Sequence, residues 1–248
     1  MACAPEATIA QRYRLARRDP ELAVLEGFHA LKHALRFGAE LRETVAVDPE
    51  ALGALARELA PDLAGQLRDR VERIDVKTLA DLVPMVPPTG VVAIARRPAV
   101  DVAATLADPR PAPVVLLEDP RNMGNIGACV RVAAAADAAA VLTTGQNDPW
   151  CPDAVRGAAG LQFALPVASV RRLPESDRPL LAIDPEGEEL RPERLPPRAV
   201  LAFGTERHGI SAELLERADA RIAIPMRKGV SSLNLATSVA IVLFAMRR

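Results

Sequence analysis

The C-terminal stretch Ile224-Pro-Met-Arg-Lys-Gly-Val-Ser-Ser-Leu-Asn-Leu-Ala-Thr-Ser-Val-Ala-Ile-Val-Leu-Phe-Ala-Met-Arg-Arg248 reads as a strand end, a loop and a helix in one run. From Asn234 onward only Thr237 and Ser238 interrupt an apolar segment. A helix that is hydrophobic on nearly every face is a buried one, so the pattern predicts a core or interface helix without a solvated side. Its apolar run of about twelve residues is short of the roughly twenty needed to span a bilayer. Arg247 and Arg248 suit the negative end of its dipole. Ahead of the helix, Gly229 lets the backbone turn, while Ser231, Ser232 and Asn234 offer donors and acceptors where free backbone N–H groups point outward. Such a loop caps a helix or holds a ligand.

Two earlier stretches give this loop a context. Asn125-Ile-Gly-Ala-Cys-Val-Arg131 follows the apolar strand Val114–Glu118, and Phe203-Gly-Thr-Glu-Arg-His-Gly209 follows the apolar strand Ala199–Ala202. A Gly-containing loop between a strand and a helix is common in α/β proteins, so each stretch alone carries little. Together with Ile224-Pro225 and Ser232-Leu-Asn234, in this order, they resemble the three signature motifs of the SpoU/TrmH-type RNA ribose 2′-O-methyltransferases of the SPOUT superfamily. The resemblance spans roughly the last 135 residues.

Composition sets outer bounds. The 248 residues, half of them hydrophobic, can bury a substantial core, and two modest domains fit better than one. A formal net charge of −1 excludes a global basic field and leaves room only for a local basic patch. Cys3, Cys129 and Cys151 are odd in number and lack paired metal spacing, so no disulfide framework or zinc knuckle is expected. The N-terminal residues lack a secretory pattern and no segment reaches transmembrane length, which predicts a cytoplasmic protein without membrane or metal. Aromatic residues are 3% of the chain, so bound RNA would be held by shape and phosphate contacts more than by base stacking.

Read in order, the chain opens with a loose terminus. Gln11-Arg-Tyr-Arg-Leu-Ala-Arg-Arg18 then forms the densest basic cluster, a solvated face or a phosphate-contacting patch in which Arg12, Arg14, Arg17 and Arg18 are the RNA-binding candidates. Asp19-Pro20-Glu21 has the chemistry of a helix start, and a helix is predicted through Leu22, Leu25, Phe28, Leu31 and Leu35 to Gly38. On it Glu26, His29 and His33 would share one face, but the HExxH order is missing, and no metal is expected. A strand at Glu43–Val47, helices over Glu50–Glu58 and around Leu63–Asp69, a strand at Glu72–Val76, a short helix at Lys77–Leu82 and a buried strand Val91–Ala95 complete a small α/β unit over residues 1–97. Four prolines and little periodicity make 98–113 the expected linker. The second domain, 114–248, continues with a helix Ile126–Ala136 and a strand Ala140–Thr144. A loop tip follows at Gln146–Pro152, bearing Trp150. After it come a helix Asp153–Gly160 and strands at Phe163–Val167, Leu180–Ile183 and Ala199–Phe203, an alternation suited to a mostly parallel sheet. Ligands in such sheets bind at the carboxyl ends of strands, where all three motifs fall. A dinucleotide-binding sheet is the alternative suggested by Gly124 and Gly127, but the required GxGxxG is absent.

The resemblance implies more than the residues alone. The stretch Glu26-Gly-Phe-His-Ala-Leu-Lys-His-Ala-Leu35 is similar to the start of the L30e-like substrate-binding domain that precedes the catalytic domain in many SpoU-type enzymes. The C-terminal domain is then expected to contain a trefoil knot that binds S-adenosyl-L-methionine, and the protein to be a homodimer through that domain, acting on structured RNA, ribosomal before transfer RNA. Carried over position by position, Gly204, Thr205, Ile224, Met226 and Leu233 are the cofactor-binding candidates. Asn125, Arg131, Glu206, Ser232 and Asn234 are the catalytic ones. Arg207 and His208 depart from the small residues frequent in relatives after Glu206. The alternative is a relative that binds RNA through the same fold and no longer catalyses.

Overall fold

In a computed structural model the described residues are 7–68, 70–205 and 208–247, the side chain of Arg68 excepted. Cys3, Glu206, Arg207 and Arg248 therefore lie outside them. The chain divides into two units, one of residues up to Pro98 together with Trp150–Phe163, the other of Ala99–Pro149 and Ala164–Arg248.

The first unit is built around a four-stranded sheet. Helix α1 (Ile9–Ala16) starts on a capping box in which the Thr8 hydroxyl accepts from Gln11 N and the Gln11 side chain accepts from Thr8 N. Strand β1 (Leu22–Glu26), helix α2 (Phe28–Arg36), strand β2 (Leu41–Ala46), helices α3 (Pro49–Leu59) and α4 (Ala64–Arg68), strand β3 (Glu72–Arg73), helix α5 (Val76–Leu82) and strand β4 (Val91–Arg96) follow. Their spatial order is β1-β4-β2-β3, antiparallel except for the β2–β3 pair. The core joins Tyr13, Val24, Val45, Leu79, Val92 and Ile94, and the Tyr13 hydroxyl donates to Val92 O.

Here the single helix expected from Leu22 to Gly38 is replaced by β1 and α2. Leu22–Glu26 pairs along its whole length with Arg96–Val92, and Gly27, at φ +89°, turns the chain from strand to helix. Apolar residues at helical spacing fit a fully buried strand equally well, and pairing with β4 decides it. Asp19 caps no helix; its carboxylate accepts from Glu21 N in a turn. Glu26, His29 and His33 therefore share no helix face, and no group of three potential metal ligands occurs among the described residues. Glu26 is instead a buried carboxylate held by Arg17 (2.9 Å) and Arg156 (2.7 Å).

The segment Trp150–Phe163, expected in the second domain, belongs to this first unit. Trp150 is no loop tip: it is 5% exposed and meets the Phe163 ring edge-on at 5.1 Å, with the Arg97 guanidinium 5.8 Å from its ring centre. The His33 ring hydrogen-bonds Ala159 O through Nδ1 at 2.7 Å. At Gly160 a side chain would strike the backbone of Ala30.

The second unit carries helix α6 (Val102–Ala107), strand β5 (Val114–Leu117), helix α7 (Met123–Ala135) and strand β6 (Ala140–Thr143). After α8 (Pro152–Gly157), which packs in the first unit, come strands β7 (Val167–Ser169), β8 (Leu180–Glu189) and β9 (Val200–Phe203), helix α9 (Ala212–Arg217), strand β10 (Ala220–Ala223) and helix α10 (Leu235–Met246). The six strands lie in the order β10-β8-β9-β5-β6-β7 and every pairing is parallel. This is the expected mostly parallel sheet, with the near-continuous apolar strands that burial on both faces demands. The strand predicted at Phe163–Val167 is displaced to Val167–Ser169, because Leu161–Phe163 forms a 3-10 turn instead.

Two local features differ from the sequence reading. Residues 98–113 are not mere linker: α6 lies there and Leu106 joins the core of the sheet. Buried Arg178 donates to the carbonyls of Leu106, Ala112, Asp108, Arg198 and Thr105, closing the C-terminal end of α6. Burial holds its pKa below the usual guanidinium value. Helix α10 is not buried on all sides: Val239, Val242 and Leu243 face the core, while Ile241 (37% exposed) and Phe244 (50%) face out. Arg247 donates to Ala135 O, the last residue of α7. That bond and the Asn234 to Asn125 bond at the opposite ends set α7 and α10 side by side, running in the same direction.

Candidate functional site

The carboxyl ends of β9 and β10, the middle of β8 and the loop before α10 enclose a cavity of about 420 Å³. Its apolar surface comes from Ile183, Phe203, Ile224, Met226, Leu233 and Leu235, and its polar groups are Asp184, Thr205, Ser231, Ser232 and Ser238. All five cofactor candidates, Gly204, Thr205, Ile224, Met226 and Leu233, line this cavity, and so does Ser232.

Each wall has a local cause. β9 ends at Phe203, and Gly204 follows in a place where any side chain would lie about 2.0 Å from the Gly209 carbonyl carbon. Only glycine permits that approach. Beyond it Thr205 N donates to Gly209 O (2.9 Å), Gly209 N returns a bond to Thr205 O (3.1 Å), and His208 N donates to the Thr205 hydroxyl. The loop from Arg227 to Asn234 turns at Gly229, φ +90°, and leads into α10. Asn234 is the N-cap of that helix: Oδ1 accepts from Ala236 N (2.9 Å) and Thr237 N (3.3 Å).

Asn234 does more than cap. Its Nδ2 donates to Asn125 Oδ1 at 3.1 Å, a contact across 109 positions that joins the first motif to the third. Asn125 stands in the first turn of α7, whose own N-cap is Asn122. Arg131 lies two turns further along α7, exposed, without a hydrogen bond or ion pair among the described residues, and outside the cavity wall. Glu206 falls outside the described residues.

The basic cluster of α1 divides. Arg12 forms a two-pronged ion pair with Glu43 (2.7 and 3.1 Å), which raises its pKa, and Arg17 is tied to Glu26 and to Leu82 O. Arg14 and Arg18 are exposed and make no ion pair among the described residues. Asp184, absent from the candidates drawn from sequence, lines the cavity and pairs with Arg221 at 2.9 Å; β8 runs past the expected end at Ile183 to Glu189 and carries it there. The Asp184-Pro185 pair after an apolar run was the available signal.

An open mouth, an apolar wall and a few convergent polar groups fit an amphipathic small molecule, for which cavities of about 300–1,000 Å³ are usual. Residues 112–244 match the model of the SpoU rRNA Methylase family. A Mycobacterium bovis protein named as an uncharacterised tRNA/rRNA methyltransferase is 34% identical over 205 residues, 77% of this chain and 70% of that protein. A 23S rRNA (adenosine(1067)-2′-O)-methyltransferase of Streptomyces azureus is 28% identical over 92% of this chain and 87% of its own. The SpoU methyltransferase AviRb from Streptomyces viridochromogenes, solved in complex with AdoMet, shares the fold with a TM-score of 0.74 at 24% identity, over 97% of this chain and 93% of that one. With the family match covering more than half of its length, and with the three motif loops gathered at one sheet edge, this chain belongs to the SpoU rRNA methylase family.

Proposed function

We infer that the protein is an S-adenosylmethionine-dependent RNA methyltransferase that methylates a ribose 2′-hydroxyl, with ribosomal RNA favoured over transfer RNA. The observation that carries this reading is the cavity itself, whose lining unites the cofactor candidates from two motifs around a Gly204 that admits no side chain. Ile224, Met226 and Leu233 suit the faces of a purine, Thr205 and Ser232 offer hydroxyls, and backbone amides at the loop turns supply directional donors. The relatives named as methyltransferases of 23S rRNA and of tRNA/rRNA support the substrate class.

When bound, the cofactor supplies an electrophilic methyl group on a sulfonium. The remaining work is alignment of the hydroxyl and removal of its proton. Arg131 cannot act as a base, because a guanidinium stays protonated. Its role in this reading is to hold the neighbouring phosphate and to stabilise charge developing on the ribose oxygen. The proton passes to a phosphate oxygen or water, directly or relayed by the Ser232 hydroxyl. Asn125 and Asn234 order the two helix starts beside the cavity, and Glu206 orients partners across it.

The exposed face of Ile241 and Phe244, and an Arg131 that is exposed and has no partner among the described residues, favour the expected homodimer through the second unit, in which one protomer's arginine serves the other's cavity. The trefoil knot and the L30e-like character of the first unit, with Arg14 and Arg18 as exposed cations that make no ion pair among the described residues, belong to the same proposal, as does action in the cytoplasm. No observation favours the binding-only alternative. Titration calorimetry with S-adenosylmethionine, followed by mapping of 2′-O-methyl marks on RNA incubated with the protein and cofactor, tests the reading. Saturable cofactor binding and one new mark are expected; folded protein that binds no cofactor overturns it.

A further inference from the structure

Glu118, immediately after β5, touches both ends of the loop that carries Gly204. Its backbone N–H donates to Phe203 O (2.9 Å), the residue before the loop. Its carboxylate spans to the residue after the loop, where Oε2 accepts from Ser211 N (2.7 Å) and Oε1 from Ser211 Oγ (2.6 Å). Ser211 in turn caps α9 by accepting from Leu214 N. Helix capping does not require the carboxylate, since the Ser211 hydroxyl already fills that role. The carboxylate instead takes two donors from one distant residue, with the short distances of charge-assisted bonds.

We propose that Glu118 is a positioning residue for cofactor binding, a staple that holds the stem of the Gly204–Ile210 loop closed against β5 and so sets the cavity wall made by Gly204, Thr205 and Gly209. This inference rests on the cofactor reading given above. It makes the segment from Glu118 to Asn125 the common anchor of the site: Glu118 fastens the second motif loop, and Asn125 fastens the third through Asn234. Glutamine at 118 keeps an acceptor for Ser211 N and a donor for Ser211 Oγ, so it preserves the span without the charge. Alanine removes it.

The test compares wild type, Glu118→Ala and Glu118→Gln by two readouts. Hydrogen exchange in the absence of cofactor follows the amides of Thr205, Gly209 and Ser211; the alanine variant exchanges them about tenfold faster or more and the glutamine variant stays near wild type. Calorimetric titration with S-adenosylmethionine then gives about a ten- to thirtyfold weaker affinity for alanine, the range expected for lost charge-assisted bonds, and a change below about threefold for glutamine. If the alanine variant does not fold, Ser211→Ala, which keeps the backbone donor and loses the hydroxyl, replaces it with a smaller loss in the same direction. Loop amides as protected in the alanine variant as in wild type, or unchanged cofactor affinity despite faster exchange, overturns the proposal. If wild type itself binds no cofactor, the functional reading fails, while the exchange result still judges the staple.

Discussion

Replacing Asn234 separates two roles that one side chain performs. The Oδ1 atom caps α10 through two backbone amides, and Nδ2 bridges to Asn125. Loss of an asparagine cap costs about 1 kcal/mol, and a solvent-exposed neutral bridge contributes about 0.5 kcal/mol, so Asn234→Ala destabilises the second unit by about 1.5 kcal/mol. For a chain of this size that lowers the unfolding midpoint by about 3–6 °C. Asn234→Asp keeps the capping oxygen and adds favourable charge at the helix N-terminus, yet it puts a carboxylate oxygen opposite Asn125 Oδ1 where a donor stood. The aspartate variant is therefore expected within about 0.5 kcal/mol of wild type in stability while losing cofactor affinity together with the alanine variant. Thermal unfolding by circular dichroism and cofactor titration on the same preparations make the comparison. An alanine variant as stable as wild type refutes the capping argument. An aspartate variant with undiminished cofactor affinity refutes the bridging argument.

Gly204→Ala forces a methyl group onto the Gly209 backbone, so cofactor affinity should fall more than tenfold with secondary structure retained; near-normal binding in titration would contradict the close approach. Arg178→Met removes the donor to Ala112 O and leaves the carbonyls of Leu106 and Asp108 to Arg198 alone, and a loss of about 1–3 kcal/mol is expected by denaturant unfolding. Arg14→Ala with Arg18→Ala should weaken RNA binding and reduce its salt slope by about one to two without changing stability, whereas Arg17→Ala strips buried Glu26 of one of its two partners and should lower stability first. Burial holds the His33 pKa below its usual value, the hydrogen bond to Ala159 O opposing in part. Because the folded state resists protonation more than the unfolded chain, the His33 contribution is complete above about pH 6.5 and declines as pH falls through the lower folded pKa. His33→Gln should flatten that acid limb of the stability profile.

The second unit was legible because its strands are short apolar runs set between turn residues, and the loops after β5 and β9 carry glycines and polar groups at the strand ends. The resemblance added which of those residues line one cavity, since spacing cannot say that Ile224 and Gly204 are neighbours. Reading failed where tertiary pairing overrode local pattern. Leu22–Glu26 has the spacing of a helix face, and only the partner strand some seventy residues later makes it a strand. Arg12 and Arg17 look like free cations until Glu43 and Glu26 come into range. Trp150, flanked by polar and proline residues, has no local sign that Phe163 and Arg97 will cover it.

The return of Trp150–Phe163 to the first unit has a consequence for synthesis on the ribosome. The first unit cannot complete its core when Pro98 emerges, because Trp150, Phe163 and Arg156, one of the two arginines paired with buried Glu26, have not been made. They arrive about 65 residues later, roughly 3–13 s at ordinary elongation rates. During that interval β5, α7 and β6 have already left the tunnel, with β9, the central neighbour of β5, still unmade. The two halves must therefore mature in overlap, and an early pause or truncation between residues 98 and 150 would leave both exposed at once.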